Sequence, residues 1–447
     1  MGIVCAMQIH ELVSALPDRV LARGGDGWEA ARHFHSGTGD PDAIVQVDSV
    51  ADVVAAVRWA ADQHVPILVR GGGHSAWGTV PGGLTLDLSA LDGVDVDGST
   101  VRVGGGATWG HVAEVLSAHS LGLSSGDTAS VGVGGLTLGG GIGWMVRAWG
   151  LAADQLVGAQ LVAASGEVVE VSDAAHPELM WALRGGGGNF GVVTRFDFRA
   201  HPLPAVVFAT LTLAGDSRPL LRTLREVMRD APRELTVTFM DVPPMDPNAP
   251  AGATLTAVWA GDDEDAARAA LAPLLRAEGV ADAVIETVSY PDILLDMPAA
   301  DPEAPMPGFI GGNSLLRELS EDAIDRLVSF RESNAASVLL LRSLGGAYGD
   351  VAAGDSAFPG RDATWFAMAG AFDIPGLVDD ASRMRIQAAW DAIEALGAGV
   401  YGNFTTSTDA GFASKMYPEA TMTRLASVKR AWDPANVFSR NHNVLPA

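Results

Sequence analysis

The chain is poor in the residues that build covalent scaffolds and cationic surfaces. Cys5 is its only cysteine in 447 residues. That excludes an internal disulfide and a zinc site built from cysteine thiolates. Lys415 and Lys429 are the only lysines, and 29 basic residues face 54 acidic ones, a formal net charge of −25. A surface of this sign repels phosphate backbones and anionic headgroups, so neither nucleic acid nor a membrane surface is an expected partner. No run reaches the roughly 18 consecutive apolar residues of a membrane span. The N-terminus lacks a basic stretch followed by a long apolar one, so the cytoplasm is the expected location. No His-Glu-x-x-His or clustered carboxylate–histidine spacing is present, and no metal is expected.

What abounds is glycine, 53 residues of it, well above the usual share of about 7%. The glycines fall in short runs between apolar segments, without a repeat, as chain reversals and close backbone approaches require. With 48% hydrophobic and 19% charged residues, the composition is that of a globular protein with a sizeable core. The length suggests two or three domains, or one large domain in two parts. The preference for Ala, Gly, Asp, Val and Arg over Lys fits a GC-rich bacterial coding sequence.

Hydrophobic periodicity places helices and strands in alternation. Ser49 caps a helix over 49–63, with Asp52 three residues on and Val50, Val53, Val54 and Val57 on one face. Strands are expected at 67–69, 82–89, around Val101 and Val103, and at 195–199. A hairpin is expected over 160–171, turning at Ser165-Gly166. A helix is expected over 109–119. Beyond Pro202 and Pro204 the glycine runs thin out. Strands at 206–213, 235–240 and 253–260 there alternate with charged amphipathic helices at 262–277 and 380–395, giving a sheet with helices on one face.

Three glycine segments carry the chemistry. Residues 70–77 read Arg-Gly-Gly-Gly-His-Ser-Ala-Trp, a histidine held just after three glycines at the end of a strand. Such a loop offers backbone N–H groups to a pyrophosphate and a ring nitrogen to the reactive end of a dinucleotide. A plain glycine turn with a solvated histidine is the alternative. Residues 130–143, Ser-Val-Gly-Val-Gly-Gly-Leu-Thr-Leu-Gly-Gly-Gly-Ile-Gly, leave little room for regular structure and read as a backbone cradle or as a packed crossing of strands. Gly139-x-Gly141-x-Gly143 lacks the strand, helix and acidic residue of a nicotinamide-dinucleotide fold. Residues 181–195, Trp-Ala-Leu-Arg-Gly-Gly-Gly-Gly-Asn-Phe-Gly-Val-Val-Thr-Arg, set four glycines before a β-branched pair, again for ligand contact or a structural bend.

Together with Trp149 to Asp154, Tyr401-Gly-Asn403-Phe404 and the pattern from Arg424 to Asn443, these segments resemble the berberine-bridge-enzyme-like FAD-linked oxidases of the vanillyl-alcohol oxidase and p-cresol methylhydroxylase superfamily. The resemblance runs in order over about residues 40–447. It implies an α+β protein: a two-part FAD-binding domain of the p-cresol methylhydroxylase type over 1–203, a substrate domain over 204–395 whose sheet covers the flavin, and a segment over 396–447 returning to the first part.

The resemblance also assigns roles. His74 is the position that bonds covalently to the flavin 8α-methyl. Arg70, Gly71, Gly72, Gly73 and Ser75 complete that loop. Thr128, Val131, Gly132, Val133, Gly134, Gly135 and Gly139 form the second cofactor segment, joined by Val193, Tyr401, Asn403 and Asn443. Thr128 stands where many relatives have a second linking cysteine, so a single link is expected, with a lower reduction potential and a less open site. Val131, where some relatives have leucine, implies a path for oxygen and hence an oxidase. Hydride passes from substrate to flavin N5 while a base takes a proton. In several relatives that base is the tyrosine aligned with Phe404, which takes no proton. Tyr401, Asn403 and Tyr348 are the remaining catalytic candidates, while His35, His176 and His442 read as surface or packing residues. The implied function is an FAD-dependent oxidase of an alcohol, sugar, amine or secondary metabolite. The alternatives are a flavin dehydrogenase with another acceptor and a flavoprotein without turnover.

Overall fold

The computed structural model describes residues 6–243, 252–296, 308–374, 376 and 378–447; Cys5 lies outside them. Ser49 accepts a hydrogen bond from the Asp52 amide and starts a helix over Val50–Asp62, as the valine spacing requires. Asp52 reaches back to the amide of Asp48, one residue earlier than a standard capping box. The helix lays Val53, Ala56, Val57 and Ala60 on a four-stranded sheet. In that sheet Ala43–Gln46, Leu84–Asp87 and Ile67–Arg70 run parallel, and Val20–Ala22 closes one edge antiparallel. A five-stranded antiparallel sheet follows, in the order Val168–Val171, Leu156–Val162, Val192–Arg199, Thr100–Gly104, Val94–Asp97. The expected hairpin at Ser165-Gly166 and the helix Trp109–Ser117 both form.

A seven-stranded antiparallel sheet spans Val206–Leu213 to Trp365–Asp373. Alternate residues split its two faces. Leu211, Val237, Phe239, Leu339 and Leu341 point into a core shared with the helices Arg218–Asp230, Glu321–Glu332 and Asp380–Glu394. The opposite face carries Asn313, Met368, Leu340 and Met240 in one cross-strand row, and Phe366, Arg342 and Thr238 in the next. This second face turns toward the glycine-rich part of the chain. Buried polar clamps join the two. Arg342 grips Asp127 through both terminal nitrogens and lies 4.5 Å over Trp144. Arg361 holds Asp154, both nearly sealed from solvent. Arg147 donates to the carbonyls of Leu235, Leu344 and Ala231.

The expectation that 130–143 leaves little room for regular structure is corrected in part. Val133–Leu138 forms a short helix between its glycine clusters, with Val133, Thr137 and Leu138 buried. Apolar residues at one-turn spacing supply the inner face that the glycine count obscured. The C-terminal segment returns to the first part of the chain. Leu425, Val428 and Val444 enter the core of the five-stranded sheet. Lys429 and Asp433, both fully buried, pair at 2.7 Å, and the ammonium also donates to the carbonyls of Asn189 and Phe438. No helix among the described residues is long and apolar enough to cross a membrane.

Candidate functional site

The first glycine loop leaves the end of the parallel strand Ile67–Arg70. The Arg70 side chain passes beside Gly73, and its guanidinium binds the Asp87 carboxylate at 2.5 Å and the carbonyl of Ala31 and lies over the face of Phe34. Its charge is thus paired within the protein. A Cβ on Gly72 would fall 2.3 Å from the amide nitrogen of Gly132, and one on Gly132 would fall 2.2 Å from that of Gly72. The first and second glycine segments therefore touch backbone to backbone, which only glycine permits. Gly73 has φ +74°. Ser75, exposed, caps the short turn Ala76–Thr79 by accepting from the Trp77 amide. Beside the loop a cavity of about 570 Å³ is lined by Gly71, Gly72 and Gly73, with Gln46, Asp87 and Ser89. It lies at the carboxyl ends of the parallel strands, where open α/β sheets take their ligands.

His74 is held from two sides. Its Nε2 lies 2.9 Å from Ser130 Oγ. Its ring stacks on that of His35, with centroids 3.7 Å apart and 16° between planes. Burial, with the second imidazole alongside, pulls the His74 pKa down to about 4, so the ring is neutral near pH 7. His35 is positioned by its own amide, which donates to the Gly73 carbonyl at 3.0 Å. His35, expected on the surface or in packing, packs face to face on the His74 ring, and that particular pairing was not legible in the sequence. The only signal was its place in His33-Phe34-His35, which matches no motif.

The second segment supplies mostly backbone. Val133 and Val193 bury their side chains in the core. Gly134 lies near the Phe196 ring and the Gly105 carbonyl, and Val131 is half-buried. Thr128 runs beside Leu295, with the Ala129 amide donating to Leu295 and the Leu295 amide donating to Asp127. The Asp127–Arg342 pair thus ties this loop to the seven-stranded sheet.

Residues 401–404 close the other side. Tyr401 and Tyr348, two of the catalytic candidates, both lie buried with their oxygens engaged by the protein. Tyr401 is 1% exposed, and its phenolic oxygen accepts from the amides of Gly141 (3.0 Å) and Ile142 (3.3 Å) and from Asn403 Nδ2 (2.9 Å). Tyr348 is fully buried and donates to the Gly360 carbonyl at 2.8 Å. Burial raises the pKa of both phenols, away from base function. The other two of the chain's four tyrosines are spent likewise, Tyr290 on Ser125 Oγ and Tyr417 on the Gly185 carbonyl.

Asn403 is exposed and lies against Gly139, where a Cβ would fall 2.2 Å from its Oδ1. Its amide is oriented by Tyr401 and by the Leu136 carbonyl. Asn313, missed in the sequence, latches this turn. Buried in the seven-stranded sheet, it donates to the carbonyls of Tyr401 (3.0 Å) and Phe404 (2.7 Å) and accepts from the Tyr401 amide (2.6 Å). Phe404 is 37% exposed and meets Phe366 edge-on at 5.1 Å. It leads into half-buried Met368, Leu340 and Met240 on the same sheet face. His442 packs between Trp77 and Phe412, with Nε2 3.0 Å from the Gly402 carbonyl.

These residues fit a bound flavin dinucleotide. The paired glycine loops expose backbone at a close approach no side chain could share. The buried Oδ1 atoms of Asn441 and Asn443 have no partner among the described residues, an arrangement a polar ligand would relieve.

The comparisons agree with this geometry. The family described as "FAD binding domain" matches residues 41–172, and that described as "Berberine and berberine like" matches 400–445. The chain is 29% identical over 450 residues to (R)-6-hydroxynicotine oxidase of Paenarthrobacter nicotinovorans, covering 91% of each chain. Its fold superposes on glucooligosaccharide oxidase from Acremonium strictum with a TM-score of 0.84 at 25% identity, covering 98% of this chain and 99% of that one. It superposes on 6-hydroxy-D-nicotine oxidase from Arthrobacter nicotinovorans with a TM-score of 0.75 at 26% identity, covering 96% and 98%.

Proposed function

We propose, from the premise that this chain is an FAD-linked oxidoreductase resembling the berberine-bridge-enzyme-like oxidases, that it holds FAD covalently through His74 and oxidises a small amine with oxygen as acceptor. The observation that carries the attachment is His74, a neutral imidazole fixed beside two interlocked glycine loops. When bound, FAD takes a hydride from the substrate carbon. Gly71 to Gly73 and Gly132 to Gly135 would hold it by backbone, Asn403, Asn441 and Asn443 by side-chain amides, and the sheet face of Phe404, Met368, Leu340 and Met240 would wall the substrate and exclude water.

Alcohol oxidation needs a group to take the hydroxyl proton. All four tyrosines here are buried with their oxygens engaged, and Phe404 occupies the position of the relatives' base. An amine needs no such group, because its own nitrogen lone pair drives the hydride out of the adjacent C–H bond. The largely apolar sheet face suits such a substrate better than a polyhydroxylated sugar, whose hydroxyls need buried polar partners. Val131 favours oxygen as acceptor: Val131→Leu is expected to slow reoxidation by oxygen while dye reduction persists, and equal oxygen use in both proteins would count against that role.

Acid-denatured wild-type protein is expected to stay yellow and His74→Ala to release its flavin. Flavin retained by His74→Ala refutes the attachment. Anaerobic bleaching by apolar amines but not by matched alcohols or oligosaccharides supports the substrate reading. Bleaching by oligosaccharides alone rejects it.

A further inference from the structure

A neutral imidazole carries one proton, and the partner of one ring nitrogen decides which nitrogen keeps a lone pair. We infer that Ser130 is a positioning residue for cofactor attachment: its Oγ receives the Nε2–H of His74 and leaves Nδ1 as the nucleophile. This rests on the reading of His74 as the attachment point.

Three features make the arrangement a built one. The Nε2 to Oγ distance is 2.9 Å. Ser130 cannot drift, because its carbonyl oxygen lies against Gly72, 2.5 Å from where a Cβ would stand. The His74 ring cannot turn freely, because His35 covers one face at 3.7 Å and is itself tied to the Gly73 carbonyl. Ser130 thus sits on the very strip of backbone that interlocks with the loop bearing His74. Both faces of the problem, the ring's rotation and its tautomer, are set by neighbours in the two glycine segments. The neutral state the pocket imposes on His74 keeps the lone pair available.

The attachment balances as follows. A bond forms between Nδ1 and the flavin 8α carbon, and one C–H bond of that carbon breaks. Its electron pair passes into the flavin ring, which is reduced. The 8α proton and the Nε2 proton leave to the flavin and solvent, the latter through Ser130 Oγ. Oxygen then takes two electrons and two protons, yields hydrogen peroxide and restores the oxidised flavin.

The test follows covalent flavin in purified holoprotein by intact mass and by acid precipitation, after expression and during incubation with added FAD in air. Ser130→Ala is expected to bind FAD but to attach it roughly 10- to 100-fold more slowly, as loss of the partner that fixes a histidine tautomer does at other sites. A size-matched pair separates chemistry from packing: Ser130→Thr keeps the hydroxyl and attaches FAD, while Ser130→Val does not. Attachment at the wild-type rate in both Ser130→Ala and Ser130→Val overturns the role of Ser130 and leaves the His74 link standing. Complete release of FAD by the acid-treated wild-type chain overturns the link itself, and the role of Ser130 with it.

Discussion

At the scale of single residues, the same hydrogen-bond logic gives two rings opposite fates. The Tyr401 oxygen accepts three N–H bonds in a sealed pocket, where it organises the backbone of Gly141 and Ile142 and the amide of Asn403. Tyr401→Phe is therefore expected to lower stability by about 1–3 kcal/mol, the cost of stranding buried donors. The pH profile of kcat should not move. A lost alkaline or neutral limb in that profile would restore Tyr401 as a base. His74 instead keeps an open nitrogen and a depressed pKa of about 4. The unfolded chain takes up a proton at this residue near pH 6.5, and the folded chain refuses it until near pH 4. In His74's contribution, stability is present above 6.5 and declines as pH falls toward 4. Flavin attachment should likewise stay near its maximal rate down to about pH 5, a profile that stopped-time intact-mass measurements would record. A fall already complete at pH 6 would contradict the neutral, buried ring.

At the scale of elements, the turn 401–404 depends on Asn313, which belongs to the seven-stranded sheet and makes three bonds to it. Asn313→Ala should leave FAD bound and covalent yet lower kcat, because Phe404 and Asn403 lose their fixed positions while the attachment loop is untouched. Loss of FAD together with activity would place Asn313 in cofactor retention instead. Local signals disclosed much of this level. Ser49 and the valine spacing foretold the helix Val50–Asp62, and the glycine strings foretold close backbone approaches. The contacts between elements were not legible. Asn313 lies in a strand sequence with no motif around it, and its partner Tyr401 lies 88 residues away. His35 and His74 stand 39 positions apart in the chain, with nothing local to mark the pairing. The short helix Val133–Leu138 was hidden because glycines dominate its window, and burial of Val133 and Leu138 outweighs the poor propensity of Gly134 and Gly135.

At the scale of the molecule, the chain leaves the glycine-rich part, builds the seven-stranded sheet and comes back. Buried ions secure the return. Lys429 and Asp433 are both sealed, and Asp433 also accepts from the amides of Val437 and Phe438. Burial pulls the lysine pKa below its usual value, while the carboxylate opposes that shift. Lys429→Met would leave a lone buried carboxylate and is expected to cost about 3–5 kcal/mol, measured as the midpoint of denaturant unfolding. A change under about 1 kcal/mol would show the pair to be dispensable. The long Arg424-to-Asn443 pattern that carried much of the resemblance is thus largely a folding device: Lys429 and Asp433 hold in place a tail that carries Asn441 and Asn443, whose buried Oδ1 atoms have no partner among the described residues.

The central claim is a flavin bound through one histidine, and intact mass with the visible spectrum after acid denaturation tests it most directly. A flavin bonded to His74 gives a yellow precipitate whose mass exceeds that of the chain by one FAD, with the adduct on the peptide containing His74. A colourless precipitate with free FAD in the supernatant would contradict it.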